Sequence, residues 1–181
     1  MDINGELDSP LFPIKKMIGM IKSKIYLNRK NMELITTKIC KASEIGVHSN
    51  MFGGNMVSLI DESSAAYAVQ LCDTPRMVTI KIDELVFKKP VKVGSLLKVY
   101  GKVVEFGTTS VKLYIEVRKH NVYTGEQEVV THTNIKFVRI DEDGNSIPLS
   151  ERVKKRYKER VEKFGKGLLS TEEKELDRVT L

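Results

Sequence analysis

From Asn55 to Cys72 the chain carries no lysine or arginine, although basic residues number 30 of 181 overall. Met56, Leu59, Ile60, Ala65, Tyr67, Val69 and Leu71 fall on nearly every side of a helical projection of this stretch, and a helix that is apolar all round is a buried one. Gly53 and Gly54 precede it, and Asp73, Thr74 and Pro75 form a turn after it. The pattern therefore predicts a helix over 55–71, about 17 residues and roughly 25 Å long.

Beyond this stretch the hydrophobic period changes from helical to two. Val78, Ile80 and Ile82 alternate with polar residues, as do Leu97, Val99 and Val103, and then Val111, Leu113, Ile115 and Val117. A further run spans 128–140, and 33–42 alternates well enough for a first strand. Turn residues at 89–94, 106–108 and 123–125 separate the runs. The predicted layout is strand, buried helix, then four strands on short connections, which implies antiparallel pairing. The fold class is α+β, with one curved sheet of about five strands around one helix. One such sheet is expected to leave part of an all-round apolar helix uncovered, so a dimer is expected to complete its cover.

The ends of the chain read differently. Residues 1–29 form an N-terminal extension in which Ile14, Met17, Ile18, Ile21 and Ile25 recur at helical spacing among lysines. Such a basic amphipathic helix suits packing on its own domain or a second subunit, with membrane contact as the less favoured use. Residues 146–181 read as a basic helix with a Val153, Tyr157, Val161 and Phe164 stripe, followed by a charged tail. The domain proper is expected over 30–145.

Chemistry enters through the central helix. Asp61 and Glu62 stand in its middle, and a carboxylate on a buried helix is costly unless it is paired, solvated by a cleft or protonated. A structural hydrogen bond from Asp61 to a neighbouring strand is the plainer explanation. Gly53 and Gly54 point to a second, because glycines at a helix start let another molecule approach free N–H groups at the positive end of the dipole. Gly54 and Asp61, seven residues apart, share a face about 10 Å apart along the axis.

Composition narrows the classes. A hydrophobic content of 41% suffices for one core. No apolar run is long enough to cross a membrane and no signal peptide opens the chain, so a cytoplasmic location is expected. Cys40 and Cys72 lack metal-ligand or redox spacing and read as reduced packing residues, with no metal expected. The net charge of +6 favours an anionic partner. No zinc-finger, helix-turn-helix or RNP pattern supports nucleic acid.

Asn50 through Gly54 with Asp61 seven residues on, the segment Phe87 to Gly94, and Gly107 to Val111 followed by Glu116 to Arg118 together resemble the hotdog-fold acyl-CoA thioesterases. The resemblance implies a five-stranded sheet wrapped round the helix, dimers that share one sheet, often a trimer of dimers, and hydrolysis of acyl-CoA to free acid and CoA at the dimer interface. It assigns Asp61 as the general base that activates water, with direct nucleophilic attack as the second route, and the Gly53 and Gly54 amides as the groups that polarise the carbonyl. Thr108, Thr109, Ser110, Arg118 and Lys119 match positions near CoA. CoA is then part of the substrate, and no separate cofactor is implied. The family pattern Asn-x-x-Gly meets Gly46 and Ser49 here, which leaves His48 and Asn50 as the nearby polar groups for the catalytic loop. Two alternatives stand beside hydrolysis. One is a hydratase or dehydratase of the same fold, which wants a His on the helix where this chain has none; the other is a non-catalytic acyl-CoA binding or regulatory module.

Overall fold

The computed structural model describes residues 32–160 and 162. The amphipathic helix expected between Ile14 and Ile25 and the charged tail lie outside the described residues. The chain divides into two units, Met1–Glu33 and Leu34–Leu181. The second holds the central helix and the body of the sheet.

Strand β1 (Glu33–Ile39) leads through one 3-10 turn (Ala42–Glu44) into the central helix (Gly53–Cys72). Then come β2 (Met77–Ile82), β3 (Leu96–Phe106), β4 (Ser110–His120) and β5 (Gln127–Arg139), and a C-terminal helix over 151–160. The sheet order is β1-β3-β4-β5-β2. β3 pairs with β4, β4 with β5 and β5 with β2, all antiparallel. This is the expected single sheet with one helix across it.

Alternation sets the buried face. Val111, Leu113, Ile115 and Val117 of β4 are fully buried, with Leu97 and Val99 of β3 beside them and Ile135 and Phe137 of β5 on the other side. The helix lays Met56, Leu59, Ile60, Tyr67, Ala68 and Leu71 on that surface. Ser64 is buried among them because its hydroxyl donates to the Ile60 carbonyl one turn back, at 2.5 Å.

Three expectations change. The helix begins at Gly53 and runs 20 residues, so both glycines lie inside its first turn. It is also one-faced: Gly54, Ser58, Glu62, Ala66 and Gln70, spaced four apart, form an exposed stripe of small or polar side chains. Met56, Leu59, Ile60, Tyr67 and Leu71 are each at most 8% exposed within one chain, so the helix does not need a second protomer to cover it. Exposed apolar side chains lie elsewhere, among them Phe52, Phe87, and Val78 and Ile80 of the edge strand β2.

The connection from β2 to β3 is the third. It is a crossover, because β2 lies at one edge beside β5 while β3 sits beside β1 toward the other. Residues 83–95 first follow β5, with Asp83 N–H on the Asn134 carbonyl at 2.9 Å and Lys88 N–H on the Val130 carbonyl at 2.8 Å. They then pass the start of the helix, where Met51 N–H donates to the Val91 carbonyl at 2.7 Å. Gly94 N–H and the Ser95 carbonyl finally pair with Cys40 at the end of β1.

Candidate active site

The loop before the helix is built on one carboxylate. Glu44 pairs with Lys38 and accepts the Lys41 N–H at 2.9 Å, and these contacts, the Lys38 bond first, hold its carboxyl below the usual glutamate range. The fixed Glu44 carbonyl then receives Phe52 N–H at 2.8 Å and Asn55 Nδ2 at 3.1 Å, which sets the position of the helix start. Ile45 and Met51 bridge, and Gly46 N–H donates to the Asn50 carbonyl at 2.8 Å. His48 is exposed at the tip of the small loop so closed, beside Val47. Ser49 takes the left-handed conformation with φ 54°, the geometry that accounts for glycine in the family pattern at this position.

The helix opens at Phe52 without a side-chain cap, so its first-turn amides stay available at the positive end of the dipole. A cleft of about 290 Å³ lies beside them. Met51, Met56, Pro90, Val91 and Val130 give it an apolar lining, while Asn50, Gly53, Phe87 and Lys89 complete it. The buried Oδ1 of Asn50 has no hydrogen-bond partner among the described residues. A buried acceptor of this kind is costly until something donates to it. Two of the stretches that carry the family resemblance, Asn50 to Gly54 and Phe87 to Gly94, thus meet at one place through the crossover.

The sequence alone does not single out Phe87, Lys89 and Val130 as site residues. The lysine-proline turn at 89–90 is legible, but its seat against the helix start depends on the backbone bonds of Met51 and Lys88, which no local pattern announces.

Asp61 lies two turns along the helix, half-buried. Its Oδ1 accepts the Thr79 hydroxyl of β2 at 2.7 Å. The plainer reading of this carboxylate, a bond to a neighbouring strand, is therefore realised, and that bond also fixes the carboxylate at the exposed edge of the sheet. Thr79 precedes a bulge that ends at Lys81. Asp61 does not line the cleft formed with Gly53.

The CoA-binding candidates separate. Lys119 is linked to the cleft through Glu128, which accepts from Lys119 at 2.9 Å and from cleft-lining Lys89 at 3.1 Å. Arg118 turns to the sheet face away from the helix, where its Nε meets Glu116 at 2.5 Å and its guanidinium lies 4.3 Å from the Tyr100 ring centre. Thr108, Thr109 and Ser110 lie at the other end of β4, where Ser110 pairs with Val138 while Arg118 pairs with Val129. There the Thr108 carbonyl accepts Leu149 N–H at 2.8 Å and the Thr109 carbonyl accepts Arg139 N–H at 2.9 Å. Within one chain this turn holds the C-terminal segment.

Among the described residues no group of three metal-ligating side chains comes together, and no helix is long and apolar enough to cross a membrane.

Comparison with known proteins agrees with this architecture. The family model of the thioesterase superfamily matches residues 48–126. Over 125 residues the chain is 29% identical to the acyl-CoA thioester hydrolase YciA of Salmonella typhimurium, spanning 67% of this chain and 93% of that protein. Among solved structures, a hexameric hotdog fold thioesterase of Campylobacter jejuni is 34% identical with a TM-score of 0.60, covering 68% of this chain and 94% of that one. A hexameric thioesterase from Yersinia pestis is 26% identical with a TM-score of 0.62, covering 67% and 98%. The chain belongs to the thioesterase superfamily and has its hotdog fold.

Proposed function

We propose that this chain hydrolyses the thioester of acyl-CoA to a free carboxylic acid and CoA. The observation that carries the reading is the uncapped first turn of the central helix, opening its amides onto an apolar cleft in a chain of this family. The thioester carbonyl lies against the Gly53 and Gly54 amides, which stabilise the negative charge that develops on its oxygen. Asp61 takes a proton from water as the water oxygen bonds to the carbonyl carbon. The tetrahedral intermediate then collapses, the carbon–sulfur bond breaks, and CoA leaves as its thiol with the proton returned. Asn50, a lining residue of the cleft whose amide oxygen has no partner among the described residues, accepts a hydrogen bond from the water or the substrate amide. Lys89 and Lys119 offer charge to the CoA phosphates.

Asp61 and the glycines of one chain are separated by two helical turns, about 10 Å, which is too far for both to act on one carbonyl. The site is therefore shared: Asp61 of one protomer works with the glycine amides of a second. The exposed β2 edge, with Val78 and Ile80 on either side of the Thr79 that holds Asp61, is the surface on which the two protomers join. A trimer of such dimers is the proposed full assembly.

Free-thiol release from a panel of acyl-CoAs tests the reaction. Release that declines as the protein is diluted below its dimer constant is expected. No release from any acyl-CoA returns the chain to the class of binding modules, and a fully active monomer of 20.5 kDa by light scattering ends the shared-site model.

A further inference from the structure

Gly54 has an intramolecular use that the reaction does not require. A Cβ on Gly54 would lie 2.8 Å from Cε1 of Phe52, and one on Gly53 would lie 3.4 Å from Cε2 of Phe87. Gly46 also faces the Phe52 ring, with a Cβ there 3.6 Å from Cδ2. Gly54 thus makes room for the Phe52 ring, while Gly53 and Gly46 stand at ordinary contact distance from Phe87 and Phe52; beside the open amides Phe52 is 63% and Phe87 49% exposed. Two large aromatic side chains left this exposed at the start of the helix, one of them lining the cleft, are poised for a ligand.

We propose that Phe52 and Phe87 are the specificity-determining wall against which the acyl chain of the substrate is laid, so that the enzyme selects for apolar acyl groups of increasing length. This rests on the proposed hydrolase function and deepens it. The choice of occupant follows from the chemistry of the groups around the cleft. Lys89 lines the cleft and shares Glu128 with Lys119, two cations on one carboxylate, and the net positive charge suits the phosphates of CoA. The pantetheine arm carries two amides and needs hydrogen-bond partners, which phenylalanine rings do not supply. An alkyl chain needs only apolar surface, and the Phe87 ring lines the cleft together with Met51, Met56 and Val91, with Phe52 next to Met51 in the chain.

The chain contains no tryptophan, so Phe87→Trp introduces a single tryptophan at the wall, excited apart from the tyrosines at the red edge of the absorption band. The probes are the S-ethyl, S-butyl, S-octyl and S-dodecyl thioethers of CoA, which cannot be hydrolysed, with CoA itself as control. A blue shift that grows with alkyl length and is absent with CoA is the expected result. Equal shifts with CoA and every thioether place pantetheine on the ring and overturn the proposal. So does an emission already blue without ligand that reddens on dilution, because a second copy then covers the wall.

Hydrolysis by Phe52→Leu and Phe87→Leu gives an independent reading. The ratio of kcat/KM for octanoyl-CoA over acetyl-CoA should fall about tenfold or more, through KM, as for lost apolar contacts in a specificity pocket. A uniform loss across chain lengths overturns the wall. A length-dependent shift at Trp in a protein whose wild type releases no thiol would keep the wall and discard only hydrolysis.

Discussion

The two ends of the central helix are finished in opposite ways. At its C-terminal end the chain itself supplies the partners. Asp73 closes the helix in the left-handed conformation, and its carboxylate meets Arg156 at 2.8 Å and Arg152 at 3.2 Å. Arg156 also donates to the Leu71 carbonyl at 3.1 Å. Leu149 and Val153 are buried, and Tyr157 packs edge-on against Phe106 with ring centres 5.4 Å apart. Burial there pushes the Cys72 thiol up to about 11, with the Asp73 charge adding to it, so this cysteine is an inert packing group. At the N-terminal end the helix has no cap, an Asn50 oxygen lacks a partner among the described residues, and two aromatic rings stand in water. One end spends its interactions on stability, and the other withholds them for a ligand.

The contrast is sharpest at Asp61, the group between the two ends. Asp61→Asn keeps the side-chain size and can still pair with Thr79, so the fold should persist while thioester hydrolysis falls on the order of a hundredfold or more, as for loss of a general base. Steady-state thiol release on protein with an unchanged circular dichroism spectrum checks this. Undiminished turnover would leave Asp61 with its strand-tethering role alone.

The open end itself comes next. Gly54→Val should lower hydrolysis on the order of a hundredfold, the scale of losing an oxyanion donor. Two causes act together, since the side chain would obstruct the amides and would displace the Phe52 ring, 2.8 Å from where the Cβ must go. Retained activity moves the oxyanion site away from the helix start.

What the sequence reveals and what it hides divide along the same line. The helix and all five strands are legible because each repeats its own period over several residues, as Val111, Leu113, Ile115 and Val117 do in β4. Gly53, Gly54 and Asn50 are legible as a cluster for the same local reason. The crossover of 83–95 is not, because β2 and β3 are close in sequence and the pairing of β2 with β5 is decided by contacts some sixty residues apart, such as Met77 with Arg139. Thr108 and Thr109 look like ligand-binding turn residues until Leu149 and Arg139 are seen to use their carbonyls. The all-round apolar pattern of the helix also overstates its burial, since Ala66 counts as apolar in a projection yet stands in the exposed stripe, and Val57 sits half-buried at the margin of the packed face.

A smaller effect is expected where the family pattern is interrupted. Gly46 stands where an asparagine is usual, and a Cβ there would meet Phe52 and the Asn50 carbonyl at 3.6 and 3.7 Å, ordinary contact distances. Its φ is not among the positive values, so an asparagine fits the backbone. Gly46→Asn should therefore fold normally and raise kcat by a factor of about ten, adding one more polar group at the reacting carbonyl. A fall in kcat would mean that Asn50 already fills that role and that the second amide crowds it.

The smallest effect belongs to the closed end. The hydrogen bond from Arg156 holds the Asp73 carboxyl below the usual aspartate range, with Arg152 adding to it. A carboxyl depressed in the folded protein contributes stability that is present above the unfolded aspartate value of about 3.9 and is lost as pH falls through the lower folded value. Asp73→Asn removes the charge but keeps a residue that tolerates the left-handed backbone, so it isolates the ion pairs. The variant should melt slightly below the wild type at neutral pH, with kcat and KM unchanged because no catalytic group is touched. In acid, below the folded Asp73 value, the two melting temperatures should converge, since protonation of the wild type removes the same interaction. A gap that persists undiminished in acid would show that Asp73 stabilises the helix end by something other than its charge, and a change in KM would show that the closed end reaches the site.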